Sequence, residues 1–267
     1  MPTPVDGGGA ADAFHVVIPS LPGFGLSGPT REAGWDVHRV AGAWAELMRR
    51  LGYRRYGAQG GDWGPAVTLE PAAPAPDQVV AIHLNTLRTL PPDDPAAAAG
   101  LTADDRARLN RFLEAEPGMS GYARIQGTRP QPPAYALTDS TVGQLAWIVE
   151  KFKESTDSAE VPEDAVPRDR LLTNVMLYWL TATAGSSARH YWEAAHPSRP
   201  ARTGQRPAVP TGVAVFAADV ARPVRRLAEC EHTIVHWSEL PRGGHFAAME
   251  QPGLFTADVR AFFRRFR

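Results

Sequence analysis

The sequence predicts an α/β protein, a mostly parallel sheet interrupted by an inserted helical segment. Three observations carry this prediction. Short apolar runs alternate with helix-compatible stretches over residues 14–84, which is the signature of parallel strands with helices on their faces. From about residue 101 to 195 the periodicity is helical, with no clear strand. Strand patterning then returns after residue 210.

The elements follow in order. Phe14-His15-Val16-Val17-Ile18-Pro19 is a short apolar run ending in proline and is expected to be a buried strand. Residues 20–29 form a Gly/Pro-rich loop. Residues 35–51 read as a helix, because Val37, Val40, Ala41, Trp44, Leu47 and Met48 recur at three- and four-residue spacing and Gly52 ends the run. A second strand is expected over 54–59. A helix opens at 65–69 with a proline tolerated in its first turn, and the Pro/Ala-rich stretch 71–76 shortens it. Val79 to Leu84 is a third buried strand. In the helical middle, residues 145–152 and 171–191 carry the strongest patterns. Pro-rich linkers at 88–100 and 196–210 flank that middle. Strands are then expected at 212–216 and 233–237. An amphipathic helix follows at 252–266, with its arginines on the solvated face. The resulting division is a first core part at 1–95, a helical cap at 96–196 and a second core part at 197–267.

Composition excludes several classes. The chain has 267 residues, 43% apolar and 21% charged, enough for one globular core with an inserted subdomain. A net charge of −1 gives no reason to expect nucleic acid or an anionic membrane as partner. No apolar run reaches the ~18 residues of a transmembrane helix. Residues 1–12 lack the basic and apolar regions of a signal peptide. The single cysteine, Cys230, rules out an internal disulfide framework and fits a reducing, cytoplasmic compartment. The residues call for no cofactor and no metal, and a homo-oligomer is compatible with them.

Chemistry concentrates at Gly60-Gly61-Asp62-Trp63-Gly64, which lies between a strand and a helix. Small-x-acid-x-small in that place is the pattern of a nucleophile elbow, whose nucleophile stands exposed at a helix N-terminus. Here the slot holds Asp62. A carboxylate cannot act as a serine esterase does, but it can displace at a strained or activated carbon and form an alkyl ester. A Gly-rich turn with a capping aspartate is the plainer account of the pentapeptide taken alone. Two later residues complete an acid–base set. Asp219 lies just past the strand ending at Phe216, and His245 lies in the Gly-rich loop Gly243-Gly244-His245-Phe246. Groups at the carboxyl ends of parallel strands converge on one site. The order nucleophile, acid, histidine is that of an α/β-hydrolase triad. The other histidines (His15, His38, His83, His190, His196, His232, His236) lack such a context and are read as structural or surface residues.

At this point the sequence resembles the epoxide hydrolases of the α/β-hydrolase fold, microsomal-type branch. The resemblance rests on Ser20-Leu21-Pro22-Gly23-Phe24-Gly25-Leu26-Ser27, Gln59-Gly60-Gly61-Asp62-Trp63-Gly64 and Arg242-Gly243-Gly244-His245-Phe246-Ala247-Ala248. The middle segments Ser120-Gly121-Tyr122, Thr128-Arg129-Pro130-Gln131, 171–179 and 186–191 agree as well. It covers essentially the whole chain. It implies Asp62 as nucleophile, Asp219 as the acid, His245 as the base, and Tyr122 and Tyr191 as the pair that binds the epoxide oxygen. The implied substrates are small apolar epoxides and water, and the implied role is detoxification. Many relatives carry Glu where Asp219 stands, so the acid here is one methylene shorter.

The implied chemistry explains the residue types. An epoxide oxygen leaves poorly unless a proton or hydrogen bond meets the developing alkoxide, and two phenols supply that without charge at pH 7. The ester carbonyl then needs N–H donors, and the Trp63 backbone N–H is one. Relatives carry an H-G-x-P segment that supplies a second. None occurs before Phe14, so the sheet's earlier strands are expected to be missing from this chain. Loss of one oxyanion donor costs about 2.7–4 kcal/mol in the transition state. Two alternatives stand beside this reading. One is a haloalkane dehalogenase, which also uses an elbow Asp followed by Trp but has no need of paired phenols. The other is a non-catalytic remnant or interaction module.

Overall fold

The computed structural model describes residues 12–70, 77–91, 99–198 and 208–267. Helix α1 (Val37–Arg50) begins at Asp36, whose carboxylate accepts the Arg39 N–H, a standard N-cap. Strand β1 (Tyr56–Gly60), helix α2 (Gly64–Leu69) and strand β2 (Val79–Leu84) follow. Among the described residues six helices come next: α3 (Ala103–Met119), α4 (Gly121–Thr128), α5 (Gln131–Asp139), α6 (Thr141–Ser155), α7 (Arg168–Thr181) and α8 (Ala184–Ala195). The chain then returns to the sheet with β3 (Pro210–Phe216), α9 (Arg225–Glu231), β4 (Thr233–Leu240), α10 (Ala247–Glu250) and α11 (Pro252–Phe263).

The four strands pair in parallel in the order β1-β2-β3-β4. One row across the sheet reads Gln59, His83, Gly212, His236. Strands β2 and β3 are neighbours, although the six helices separate them in sequence, so the whole helical stretch hangs from one crossover. The apolar runs that suggested strands form the centre: Ile82, Leu84, Val213 and Val215 pack with Leu87 and Ala228. Ala81 packs with Phe262 and Phe263 of α11. Phe262 is fully buried, and burial of such a ring stabilises by about 1.5–3 kcal/mol. Helix α11 is also fixed by Asp258. One of its oxygens lies 2.9 Å from His83 Nε2, and the other lies 2.9 Å from His236 Nε2 and accepts the Ser238 hydroxyl at 2.5 Å.

Two expectations need correction. Residues 14–19 form no strand. Val16 and Ile18 are 70% and 88% exposed, and among the described residues β1 is an edge strand whose one partner is β2. An apolar run without a neighbouring ladder has no reason to adopt strand pairing. The segment is instead tethered by side chains, with Tyr53 Oη 2.8 Å from His15 Nδ1 and Phe14 edge-on to Phe263. The expected helix at 171–191 is two helices. Ala182 adopts the left-handed conformation, φ +53°, and its N–H and that of Thr183 turn back to Trp179 and Tyr178 carbonyls, closing α7. The break has a purpose in packing. Thr183 Oγ1 accepts the Gly25 N–H at 3.1 Å and the Ser186 hydroxyl donates to the Gly23 carbonyl, so the turn docks on the Gly/Pro-rich loop. The stretch 71–76 and much of both linkers lie outside the described residues.

Candidate active site

The site begins at the turn out of β1. Asp62 has φ +53°, a sparsely populated conformation for a non-glycine residue, which persists when its surroundings over-determine it. They do so here. A Cβ on Gly60 would lie 2.5 Å from the Gly64 carbonyl carbon, and one on Gly61 would lie 2.6 Å from Asn85 Oδ1. A Cβ on Gly64 would meet nothing within 4 Å, so the two tight positions are 60 and 61. Asn85, buried at the end of β2, braces the turn: its N–H donates to the Gly60 carbonyl at 3.2 Å and its Oδ1 accepts from Gln59 at 2.7 Å. The Trp63 backbone N–H lies in the first turn of α2, where no preceding turn can accept it.

His245 lies between two carboxylates. Its Nε2 is 3.9 Å from Asp62 Oδ1, and its Nδ1 is 3.8 Å from Asp219 Oδ1. Both distances exceed a hydrogen bond and fall within ion-pair range. Burial alone would lower the imidazole's pKa, but the carboxylates of Asp219 and Asp62 outweigh it and push it up to about 10. The two carboxylates therefore favour the protonated imidazole in the resting site. Asp219, 3% exposed, follows β3 in a turn in which its Oδ1 also accepts the Ala221 N–H at 3.2 Å. Its shorter side chain ends 3.8 Å from the ring, beyond hydrogen-bond length.

The two tyrosines come from the helical stretch. Tyr122 on α4 and Tyr191 on α8 stand edge to face, ring centroids 5.6 Å apart, and Tyr191 is 5.1 Å from Trp63. Burial, with the negative charge of Asp62, raises the pKa of both phenols, and that of Tyr191 strongly. Both are neutral donors over the physiological range. The structure thus brings together all six residues singled out in the sequence, around one cavity of about 1570 Å³. Trp147, Ile148, Leu177 and Phe246 give that cavity apolar walls, and it runs on into the space between residues 13–19 and β1.

Several neighbours carried no signal in the sequence. Tyr178 on α7 lines the cavity, and burial and the Asp62 charge push its phenol up to about 12. His190 is buried against Trp63, centroids 4.6 Å apart, and against Phe24, a structural role as expected. Lys151 Nζ lies 4.8 Å above the Tyr122 ring. Each of these is visible only once the helices are folded over the sheet. Among the described residues no group of three or more His, Cys, Asp or Glu side chains is placed to hold a metal ion, and no helix is long and apolar enough to cross a membrane.

No family model matches the chain. It is 46% identical over 262 residues to a protein of Stigmatella aurantiaca whose name assigns it provisionally as an epoxide hydrolase, covering 98% of this chain and 58% of that one. It is 34% identical to epoxide hydrolase 1 of Oryctolagus cuniculus over 93% of this chain and 60% of the other. Among solved structures it is similar to Aspergillus niger epoxide hydrolase, with a TM-score of 0.81 and 29% identity over 94% of this chain and 63% of that one. The chain spans about three fifths of the length of the curated relatives it matches.

Proposed function

We propose that the chain is an epoxide hydrolase of the α/β-hydrolase fold, as the relatives it is similar to imply, and that it hydrolyses epoxides to vicinal diols through an ester on Asp62. The observation that supports this most is the convergence of Asp62, His245 and two neutral phenols on one apolar-walled cavity. Asp62 attacks a ring carbon, the C–O bond breaks, and its electron pair passes to oxygen. Tyr122 and Tyr191 meet that oxygen as it gains charge. Ester formation neutralises Asp62, so His245 loses one of the two anions that hold its proton. The proton it sheds balances the one the alkoxide takes up. The imidazole, now neutral and still oriented by Asp219, draws a proton from water, which attacks the ester carbonyl. The Trp63 N–H meets the oxyanion of the tetrahedral intermediate; as its bond to the alkyl oxygen breaks, that oxygen takes the proton from the imidazolium, the diol leaves, and the acid proton left on Asp62 returns to His245.

In this reading the six helices serve as the cap that carries the phenols. The substrates are small apolar epoxides and water, and the setting is cytoplasmic detoxification. The test is mass spectrometry of the His245→Gln variant after one turnover with a small apolar epoxide. A covalent adduct on the peptide holding Asp62 is expected, and water attacking the epoxide directly would leave none. The alternative is a haloalkane dehalogenase, in which the buried Trp63 indole N–H, directed here at the Tyr191 hydroxyl, would hold the halide instead. Halide release from 1-haloalkanes without diol formation from epoxides would favour that alternative.

A further inference from the structure

The loop that carries His245 is held by carboxylates outside the triad. We propose that Glu250, with Asp157, is a positioning residue: it ties the backbone of Gly243, Gly244 and His245 to the end of α6 and so places the imidazole between Asp62 and Asp219. The inference rests on the reading of His245 as the base of ester hydrolysis.

Glu250 sits at the end of α10, 8% exposed. Its Oε2 accepts two backbone N–H groups, from Gly244 at 2.9 Å and from Asp157 at 2.7 Å. Asp157 Oδ2 in turn accepts the Gly243 N–H at 2.9 Å. The His245 N–H donates to the Ser155 carbonyl at 2.8 Å. Three successive N–H groups of the loop are therefore bound, two by carboxylates and one by the last residue of α6. The fit is close. A Cβ on Gly244 would lie 2.6 Å from the Ser155 oxygen and 3.0 Å from Thr156 Cα. One residue beyond His245, Phe246 stacks on Phe152 of α6 at 4.3 Å.

Packing alone does not call for this arrangement. A buried carboxylate costs free energy unless it is well satisfied, and Glu250 Oε1 is buried without a hydrogen-bond partner among the described residues. Burial, with the nearby Asp157 charge, raises the Glu250 pKa. A hydrocarbon would avoid the cost of burying a charge but would strand the Gly244 and Asp157 N–H groups. The carboxylate supplies a directional acceptor for two N–H groups on two different chain segments. Direction matters because a catalytic group misplaced by about 1 Å can lose about 10²-fold in rate. The same tie joins the base to α6, whose Trp147, Ile148 and Lys151 line the cavity.

The test uses the full chain, with Glu250→Ala, Glu250→Gln and Asp157→Ala. Amide exchange and the His245 imidazole titration are read by NMR in the resting protein, and then the alkylation and ester-hydrolysis steps are read in single turnovers with a small apolar epoxide. Glu250→Ala is expected to speed Gly244 amide exchange by about tenfold or more. It should also lower the His245 titration from about 10. Ester hydrolysis should slow by roughly 10- to 100-fold, with alkylation changed by less than about twofold. Glu250→Gln keeps an oxygen for both N–H groups and should restore most of each readout. Asp157 is exposed, so Asp157→Ala decides the matter if Glu250→Ala does not fold: faster Gly243 exchange with a lowered His245 titration supports the tie. An unchanged His245 titration in a folded Glu250→Ala or Asp157→Ala protein overturns it, since general destabilisation would not hold that value in place. If the unmutated protein forms no ester, the reading of the reaction fails, while exchange and titration still judge the tie.

Discussion

Asp62→Asn keeps the shape of the nucleophile and removes its charge, so it imitates the esterified state at His245. In the unmutated protein the imidazole is pushed from 6.5 up to about 10 against the opposing effect of burial. The two carboxylates stand at nearly equal distances, 3.9 and 3.8 Å, and Asp62, half-exposed, is the more screened of the two. At an effective dielectric near 20, one charge at that distance is worth up to about 4 kcal/mol before that screening. Removing it should lower the His245 pKa from about 10 by a unit or more, each unit being about 1.4 kcal/mol. The assay is an NMR titration of the imidazole Cε1–H, read promptly and alongside Asp62→Ala. Stability should follow. A histidine whose pKa is raised by folding stabilises fully below its unfolded value near 6.5, and that stabilisation is lost as pH rises through about 10. The variant should therefore melt lower than the unmutated protein near pH 6, and the two should converge towards pH 10. An unchanged His245 titration in Asp62→Asn would refute the ion pair, and with it the idea that esterification releases the base.

Other perturbations act on separate parts. His245→Gln should leave alkylation intact and lengthen the ester lifetime by at least about 10²-fold, seen as a mass increase equal to the substrate. Tyr122→Phe and Tyr191→Phe should each slow alkylation by roughly 10²-fold while sparing ester hydrolysis; equal slowing of both steps in rapid-quench experiments would return the rings to packing. Asp258→Asn should destabilise by about 1–3 kcal/mol, because the amide keeps only one of the two acceptor oxygens that serve the buried His83 and the partly buried His236 and Ser238, read as a lower melting temperature at pH 7. Burial alone would raise the Asp258 pKa, yet its bonds to His83, Ser238 and His236 hold it down at about 2. The stabilisation is thus present above the unfolded value near 4 and lost as pH falls through 2.

Legibility in the sequence followed how local each cause is. Val79–Leu84 reads as a strand and is one, because a continuous apolar run in a short segment leaves few alternatives. Residues 14–19 have the same composition and are not a strand, since pairing depends on a neighbour that composition does not reveal. The break at Ala182 was hidden for a similar reason. Gly185 is the weakest helix former near the break, and the turn is set by bonds to Gly23 and Gly25, about 160 positions away. The elbow was legible because its requirement is steric and local. The acid and base were legible through chain order at strand ends. Glu250, Asp157 and Asn85 were not, because each acts on a backbone group of another segment, and one carboxylate or amide among many carries no pattern.

The distribution of the site along the chain bears on how the molecule is made. Asp62 belongs to the turn after β1, the phenols to α4 and α8, and His245 to the loop after β4. No fragment that ends before β4 can hold the nucleophile beside its base. The entropy of closing so long a loop is met only when β3 and β4 have joined β2, so these contacts form late. Stoichiometric capture of an electrophile at Asp62 in the His245→Gln background therefore counts molecules in which the phenols have met the elbow, and ester release by the unmutated protein counts those in which the His245 loop has docked as well. The same chemistry that would consume an epoxide can serve as a clock for folding, started by dilution from denaturant and read by mass.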